Sequence, residues 1–320
     1  MLLSSDALWI LPMALLLDAL IGDPDRIWRR LPHPVAWLGA LVAFGDRHLN
    51  RESWSAQARR NAGFLWTTAL VAAGLAGGHL LEQGLRALPL FDLWIALAAS
   101  TLIAQRSLYE HVARVRDAAS LEEARAAVSM IVGRDTSRLD EAGIARAAIE
   151  STAENFSDGV VAPAFWFALA GLPGLVAYKA VNTADSMIGH LSARHRDFGW
   201  AAARLDDLLN LLPARLSALL IACAAPAAGG RTGHALAVAA RDAGTHRSPN
   251  AGWPEAAMAA ALGLALGGPR IYAAGPVEAP FLHEEGRRDA VASDIGRGLK
   301  VLATALLLHV AMWIGLAAAF

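Results

Sequence analysis

Long apolar runs constrain this chain more than any other feature of its sequence. Four stretches are long or apolar enough for membrane helices: residues 7–21, 62–81, 88–104 and 299–319. Crossing a hydrocarbon core takes about 20 helical residues. Only 18% of the residues are charged and the mean hydropathy is +0.38, whereas soluble proteins carry about 25% charged residues. The sequence therefore predicts an all-α polytopic integral membrane protein.

A further apolar region, residues 160–181, is interrupted by Gly171-Leu-Pro-Gly174, which leaves two arms of about ten residues each. Broken helices are tolerated in membranes where they line a protein cavity. We expect a re-entrant hairpin that brings Glu154 and Asp185 to one side, whereas a straight span would separate them. Residues 205–228 and 253–267 are ambiguous in topology, because charge counts do not decide whether they cross or dip.

The expected architecture is roughly four to six membrane helices with re-entrant or broken segments and cytoplasmic helical loops, in a single integral membrane domain covering residues 1–320. The polar stretches 22–61 and 105–159 each contain seven arginines, which places both in the cytoplasm by the positive-inside rule. A net charge of −1 argues against nucleic acid as a partner. The single cysteine, Cys223, excludes a disulfide or a cysteine metal cluster within one chain.

Polar residues cluster at the ends of the apolar segments, where desolvated carboxylates cost free energy unless they bind something. Asp18 and Asp23 lie near the end of the first apolar run, and His33 follows between two prolines. The two aspartates could coordinate Mg²⁺. Gly22 and Pro24 could equally make Asp23 part of a helix stop, and His33 could be an acid, a base or a loop residue.

A second cluster contains Glu150, Glu154, Asn155, Ser157 and Asp158. On a helix, Glu150, Glu154 and Ser157 share one face, so their two carboxylates would project together. Their repulsion is offset by a metal, a bound cation or a raised pKa, which makes a phosphate-bound Mg²⁺ site plausible. The alternative is a solvated helix end with an Asp-Gly turn.

In a third cluster, Asn182, Asp185 and Ser186 lie on one helical stripe beside the interrupted apolar region. Lys179 is placed to contact a phosphate, or to extend from the apolar surface to the membrane interface. A stripe this polar next to an apolar hairpin indicates function.

Two further clusters follow. Asp206, Asp207 and Asn210 enter an apolar helix, and either serve a site or pair with Arg204 and Arg215.

The fifth cluster, residues 241–255, combines His246, Arg247, Asn250 and Glu255 with Pro and Gly, a composition typical of functional loops. The sequence lacks GxxxxGK[ST], GxGxxG and HExxH motifs. Spacing alone therefore indicates a membrane enzyme or transporter with a site for Mg²⁺ and phosphate.

Six strings occur in one order along the chain: Gly22-Asp-Pro24 with His33-Pro-Val35, Glu154-Asn-Phe-Ser-Asp-Gly159, Tyr178-Lys-Ala-Val-Asn-Thr183, Asp185-Ser-Met-Ile-Gly189, Leu205-Asp-Asp-Leu-Leu-Asn210 and His246-Arg-Ser-Pro-Asn-Ala-Gly-Trp-Pro-Glu255. Through them the sequence resembles the CobD/CbiB family from the first helix to the last. These are integral-membrane proteins of cobalamin biosynthesis, the adenosylcobinamide-phosphate synthases.

The resemblance implies an ATP- and Mg²⁺-dependent ligase that joins the corrinoid adenosylcobyric acid to (R)-1-aminopropan-2-ol or its O-phosphate. It implies a multi-pass protein of the bacterial inner membrane, in contact with lipid, with its active site facing the cytoplasm and with other cobalamin-pathway membrane enzymes as partners. A transporter or a non-catalytic membrane sensor on the same scaffold is the alternative.

The chemistry of this reaction suggests roles for the polar residues. The expected catalytic residues are Asp185, Lys179, His246 and His33; those binding substrate or ATP are Asn155, Asn182, Ser186, Arg215, Arg247 and Asn250; the metal ligands are Asp18, Asp23, Glu154 and Asp158. All of them are expected to converge on one pocket.

Overall fold

The computed structural model describes residues 5–24, 28–133, 135–268, 270–272, 275–277 and 279–319. These residues are largely helical, and the prediction of an all-α membrane protein is confirmed. The helices, numbered in chain order, are α1 (Ser5–Ile21), α2 (Pro34–Leu49), α3 (Ala56–Arg86), α4 (Phe91–Ser100), α5 (Gln105–Arg116), α6 (Leu121–Ser129), α7 (Glu141–Phe156), α8 (Ala162–Ile188), α9 (Trp200–Leu209), α10 (Leu211–Ala224), α11 (Thr232–Asp242), α12 (Gly252–Leu262) and α13 (Ala292–Ala319).

Short elements join the helices in the part of the chain that the structure describes. A π-helical turn, Ser157–Val161, joins α7 to α8, and 3₁₀ turns follow α10 (Ala225–Ala228) and α11 (Ala243–Thr245). Four strands of two or three residues, β1 (Leu266–Gly267), β2 (Arg270–Tyr272), β3 (Gly275–Val277) and β4 (Phe281–Leu282), form two antiparallel pairs, β1 with β4 and β2 with β3.

Contacts along the chain define two compact units, each built from separated segments. Unit 1 contains Met1–Ala104, Ala162–Asn210 and Trp313–Phe320, and unit 2 contains Gln105–Val161 and Leu211–Met312. The expectation of a single integral membrane domain stays a prediction.

Within the described residues, four helical runs are long and apolar enough to cross a membrane: Ala56–Arg86, Glu141–Ile188, Leu211–Ala228 and Ala292–Ala319. Two of them contain the predicted spans 62–81 and 299–319, and the predicted helix at residues 7–21 is present as α1. The predicted span at 88–104 is wrong, because its helix, α4, has only 10 residues. Ten residues cover about 15 Å, half of a hydrocarbon core.

The predicted break in the apolar region after residue 160 lies at Ala170 and Gly171, whose backbone is not helical. Gly171 has φ 62° and ψ −152°, a conformation open almost only to glycine. A Cβ added to Gly174 would lie 2.5 Å from the carbonyl oxygen of Trp166. Eight residues of straight helix would separate these positions by about 12 Å. The chain therefore folds back on itself, and α8 is a helical hairpin.

The second arm of this hairpin is longer than predicted. It runs over residues 172–188, 17 residues or about 25 Å, because the helix continues through the polar stripe that follows Tyr178. Glu82 on α3 accepts the backbone N–H of Leu172 at 3.0 Å and so caps the start of this arm.

Small residues on α3 let the second arm approach closely. A Cβ on Gly74 would lie 2.8 Å from the Cα of Ala177, and one on Gly78 would lie 2.6 Å from the Cα of Pro173. A Gly-xxx-Gly spacing is typical of close helix contacts in membranes. The order of these contacts makes α3 and the second arm antiparallel.

In unit 2, α12 is buried on all sides and packs against α7, α10 and α11. The Glu150 carboxylate on α7 accepts the backbone N–H of Gly267 in β1 at 2.7 Å. Glu150 is buried and holds the strand pair formed by β1 and β4, so this carboxylate has a structural partner within its own unit.

Candidate active site

Carboxylate and amide side chains meet in unit 1, where the second arm of α8 packs against α9. Asn182 Nδ2 donates to Asp206 Oδ1 at 3.4 Å, and Asn210 Nδ2 donates to Asp206 Oδ2 at 2.9 Å. Tyr178 donates its hydroxyl hydrogen to Asn210 Oδ1 at 3.0 Å. Tyr178, Asn182 and Asp185 are spaced by four and three residues, so they follow one face of the arm. We call Asn182, Asp185, Asp206 and Asp207 the acidic cluster.

The acidic cluster is electrostatically crowded. Burial and the neighbouring Asp185 carboxylate raise the pKa of Asp206 to about 7. Burial also raises the pKa of Asp207, although Arg204 lies 3.5 Å away and opposes the rise. Three carboxylates and an amide oxygen are ligands that a hard cation such as Mg²⁺ prefers. The donor set therefore fits a bound Mg²⁺, which would relieve the crowding.

The other predicted residues of the third cluster lie on the same arm. Lys179 is buried on α8, next to Tyr178 in the chain. Asp185 is half-buried, and Ser186 is exposed with its hydroxyl donating to the Asn182 carbonyl at 2.9 Å. Asp206 and Asp207 were considered in the sequence but not selected, and Tyr178 was missed. Tyr178 lies in the string Tyr178-Lys-Ala-Val-Asn-Thr183, and the two aspartates lie in Leu205-Asp-Asp-Leu-Leu-Asn210.

The predicted residues of the first cluster also lie in unit 1. Asp18 is buried in α1, which packs against α8. His33 caps α2, since its Nδ1 accepts the N–H of Val35 at 3.2 Å. Because that nitrogen accepts, Nε2 carries the hydrogen and faces Asp23 Oδ1 at 3.2 Å. His33 and Asp23 are therefore engaged with each other at the start of a helix.

The second cluster lies in unit 2 at the end of α7. Glu154 and Asn155 are exposed, and Asn155 Nδ2 donates to the carbonyl and the hydroxyl of Ser151, each at 2.9 Å. Asp158 is half-buried in the π-helical turn, an irregularity that is frequent at functional sites. Because Glu150 holds Gly267, its side chain is committed to the backbone and does not form an exposed acidic pair with Glu154.

The fifth cluster meets Arg215 in unit 2. Arg215 Nη1 donates to Asn250 Oδ1 at 3.0 Å, and its guanidinium lies 4.8 Å from the centre of the Trp253 ring. This stacking fixes the plane of a guanidinium, the group best suited to bidentate binding of phosphate or carboxylate. Arg247 is exposed in the same loop.

His246 faces a buried carboxylate. Its Nδ1 accepts the N–H of Ser248 at 3.0 Å, and its Nε2 lies 3.7 Å from Glu255 Oε1. Glu255 is only 2% exposed. A histidine paired with a buried carboxylate can take up a proton, because the carboxylate stabilises the imidazolium.

The predicted site residues thus fall into both units: Asp18, Asp23, His33, Lys179, Asn182, Asp185 and Ser186 in unit 1, and Glu154, Asn155, Asp158, Arg215, His246, Arg247 and Asn250 in unit 2. Within the units, contacts join His33 to Asp23 and Arg215 to Asn250. The convergence of the predicted residues on one pocket stays a prediction.

Comparison with known proteins gives a consistent result. The family model described as CobD/Cbib protein matches residues 11–302. A Sinorhizobium protein named Cobalamin biosynthesis protein CobD is 52% identical over 305 residues, covering 93% of this chain and 94% of the relative. Proteins of the same name from Brucella suis biovar 1 and Rhodobacter capsulatus are 51% and 47% identical, covering 91% and 92% of this chain and 90% and 92% of the relatives.

No solved structure matches this chain significantly. The match to the family model and the identities to these relatives each extend over nearly all of the chain. The protein is therefore a member of the CobD/CbiB family.

Proposed function

We propose that this membrane protein of cobalamin biosynthesis is an ATP-dependent acid–amine ligase that converts adenosylcobyric acid to adenosylcobinamide or its phosphate. Its second substrate is (R)-1-aminopropan-2-ol or the O-phosphate of that amine. Family membership and the name shared by its relatives support the role in cobalamin biosynthesis. The reaction class rests on the side chains.

The acidic cluster is the observation that carries the proposal. Asp185 near the end of the second arm and Asp206 and Asp207 on α9 bring three carboxylates together beside Asn182. Among the described residues, the Asp206 carboxylate accepts hydrogen bonds from the side-chain amides of Asn182 and Asn210. Asp185, Asp206, Asp207 and the Asn182 amide oxygen would hold Mg²⁺. When bound, Mg²⁺ supplies positive charge to the phosphates of ATP, which phosphoryl transfer requires.

The ligation proceeds in two balanced steps. The substrate carboxylate attacks the γ-phosphorus of ATP, ADP leaves, and an acyl phosphate forms. The amine then attacks the acyl carbon, inorganic phosphate leaves, and the amine loses one proton. Arg215 and Arg247 would bind phosphate oxygens, and the His246–Glu255 pair would take up the proton.

The direction of the hairpin supports a cytoplasmic site. Because α3 and the second arm are antiparallel, Asp185 lies at the end of unit 1 where α3 begins. The arginine-rich stretch before α3 favours the cytoplasm for that end. ATP and the other pathway enzymes are then on the same side as the acidic cluster.

The test is ligase activity of the purified full-length protein in detergent, with adenosylcobyric acid, ATP, Mg²⁺ and each amine in turn, and with products weighed by mass spectrometry. We expect Asp206→Asn to lower kcat by about 100-fold or more and to raise the Mg²⁺ concentration needed for half-maximal rate, since an electrostatic contact in the reacting state is typically worth that factor.

The matched control is Asp92→Asn, which changes an exposed aspartate at the start of α4 in the same unit. It should leave the rate unchanged. Full activity of Asp206→Asn would remove the acidic cluster from the mechanism. Uptake of the corrinoid into vesicles without any covalent change would replace the ligase with a transporter.

A further inference from the structure

Two histidine rings meet in unit 2, and neither histidine has a role in the proposed ligase. His234 lies on α11 and His283 follows β4. Their Nε2 atoms are 3.2 Å apart and their rings stand edge to face with centroids 5.2 Å apart. Two nitrogens bound to one tetrahedral Zn²⁺ at about 2.0–2.1 Å lie about 3.3 Å apart, so the observed separation suits two ligands of one ion.

The surroundings of His283 leave Nε2 as the ligating nitrogen. Its Nδ1 lies 3.0 Å from the carbonyl oxygen of Leu264, which can only accept, so Nδ1 carries the hydrogen. A backbone carbonyl on the second nitrogen is the usual way in which proteins orient a metal-binding histidine. His283 is buried, and Nε2 points towards the exposed His234.

The backbone of His283 is strained into this position. It has φ 55°, in the left-handed region that side chains other than glycine rarely adopt. Its N–H donates to Asp242 Oδ2 at 2.7 Å, which holds the residue there. Such strain is typical of sites where a side chain must be aimed.

A carboxylate completes the group. Glu285 Oε1 lies 3.9 Å from His283 Nε2, and the ligand atoms of His234, His283 and Glu285 all lie within 4.8 Å of one another. Arg241 bridges Glu285 and Asp242 through hydrogen bonds to both carboxylates. The guanidinium of Arg241 carries one positive charge and the two carboxylates carry two negative charges. The group therefore has a net charge of −1, which favours the binding of a cation.

We propose that His234, His283 and Glu285 bind a divalent transition metal, with Zn²⁺ the preferred ion and water as the fourth ligand. Imidazole nitrogen selects Zn²⁺ over Mg²⁺, which takes oxygen ligands. Binding moves the hydrogen of His234 from Nε2 to Nδ1, so both neutral rings offer Nε2 to the ion. This centre is chemically distinct from the acidic cluster and does not depend on the ligase proposal.

The experiment uses the tag-free, full-length protein in detergent, dialysed against Zn²⁺ with excess Mg²⁺ and analysed for bound metal. We expect one Zn²⁺ per chain. His234→Ala should weaken Zn²⁺ binding by at least about tenfold, since even outer hydrogen-bond partners of a metal ligand contribute that much. Glu285→Gln should weaken it as well, because the amide is a poorer ligand.

The control is His48→Ala, which removes another exposed helical histidine whose Nδ1 lies 2.8 Å from the carbonyl of Phe44. It should bind Zn²⁺ as the unchanged protein does. X-ray absorption at the zinc edge should show two imidazole ligands, and Zn²⁺ should raise the Tm of the unchanged protein but not that of His234→Ala.

Absence of stoichiometric Zn²⁺, equal binding by His234→Ala, or a zinc spectrum without imidazole would each overturn the proposal and leave a histidine–histidine hydrogen bond. Since His234 is exposed, His234→Ala should unfold at the same temperature as the unchanged protein when no metal is present. A lower Tm without metal would assign the two rings to folding and would also count against the site.

Discussion

Asp46, near the end of α2, binds the segment between α8 and α9 through Arg194 and His195. It accepts hydrogen bonds from Asn50 Nδ2 at 2.7 Å and from Arg194 Nη2 at 2.9 Å, and it lies 3.4 Å from His195 Nε2. Burial would raise the pKa of Asp46, but the hydrogen bonds from Asn50 and Arg194 outweigh it, and the pKa lies below its ordinary value of 3.8. Arg59 contacts the same segment through Asn50.

This contact predicts a dependence of stability on acid. Because the folded pKa lies below the unfolded value of 3.8, the ionised carboxylate stabilises the protein above about pH 4, and that stability is lost as the pH falls below this value. Asp46→Asn should lower the free energy of unfolding by about 1–3 kcal/mol at neutral pH and reduce its loss in acid. Thermal unfolding in detergent from pH 3 to 7 measures both effects, with Asp92→Asn as control; identical curves for Asp46→Asn and the unchanged protein would contradict this reading.

Single residues were predictable where the signal is local. The stripe formed by Asn182, Asp185 and Ser186 follows from helical spacing alone, and it lies on one arm as expected. The contact of Asp206 with Asn182 joins positions 24 residues apart, and only the packing of α9 on α8 creates it. The His234–His283 contact spans 49 residues and has no local signal at all.

At the scale of elements, the pairing of α3 with the hairpin depends on glycine. One close approach occurs at Gly74, where an added Cβ would lie 2.8 Å from the Cα of Ala177. Backbone cannot yield as a flexible side chain can, so a larger residue must push the helices apart.

We therefore expect Gly74→Leu to destabilise unit 1 by about 1–3 kcal/mol or more, the usual effect of overpacking. Gly77→Leu is the matched control, since it lies on the same helix and an added Cβ there meets nothing within 4 Å. Thermal unfolding of the detergent-solubilised variants measures the difference. Equal Tm values for the two leucine variants would show that the helix contact does not limit stability.

The sequence located the hairpin break because Gly and Pro disrupt helices by their backbone chemistry. It overestimated the helix at residues 88–104, since composition reports how apolar a stretch is and not where its helix begins and ends. Leu90 has a left-handed backbone with φ 57°, and α4 starts only after it. Pro89, inside the predicted span, is a residue that interrupts helices, so the late start of α4 did have a local sequence signal.

At the scale of the molecule, the antiparallel packing of α3 and the second arm makes a topological prediction. Ser55, before α3, and Ser186, near the end of the arm, should lie on the cytoplasmic side, and Leu88 should lie on the other. All three side chains are exposed.

Ser55→Cys, Ser186→Cys and Leu88→Cys, each made in a Cys223→Ser protein, test this with a membrane-impermeant maleimide. In intact spheroplasts only Leu88→Cys should be labelled, and the other two should react after permeabilisation. Labelling of Ser55→Cys and Ser186→Cys from opposite sides would contradict the antiparallel pair.

The order of the six polar strings sufficed to predict the family, because each string keeps its chemistry and its place along the chain. Their grouping into two units could not be predicted, because segments of the two units alternate along the chain. Residues 162–210 pack with the earlier part of unit 1, and residues 211–312 pack with the earlier part of unit 2. Sequence spacing carries no record of which segments pack together after such interleaving.

The bond between Glu82 and the N–H of Leu172 crosses 90 positions of the chain. The hairpin tip leaves that amide without a helical acceptor, and in lipid a bare amide is costly. Its acceptor belongs to a helix that leaves the ribosome much earlier. We therefore expect an order of membrane insertion. Helix α3 enters the bilayer first, and the two arms of the α8 hairpin, residues 162–188, then insert together beside it.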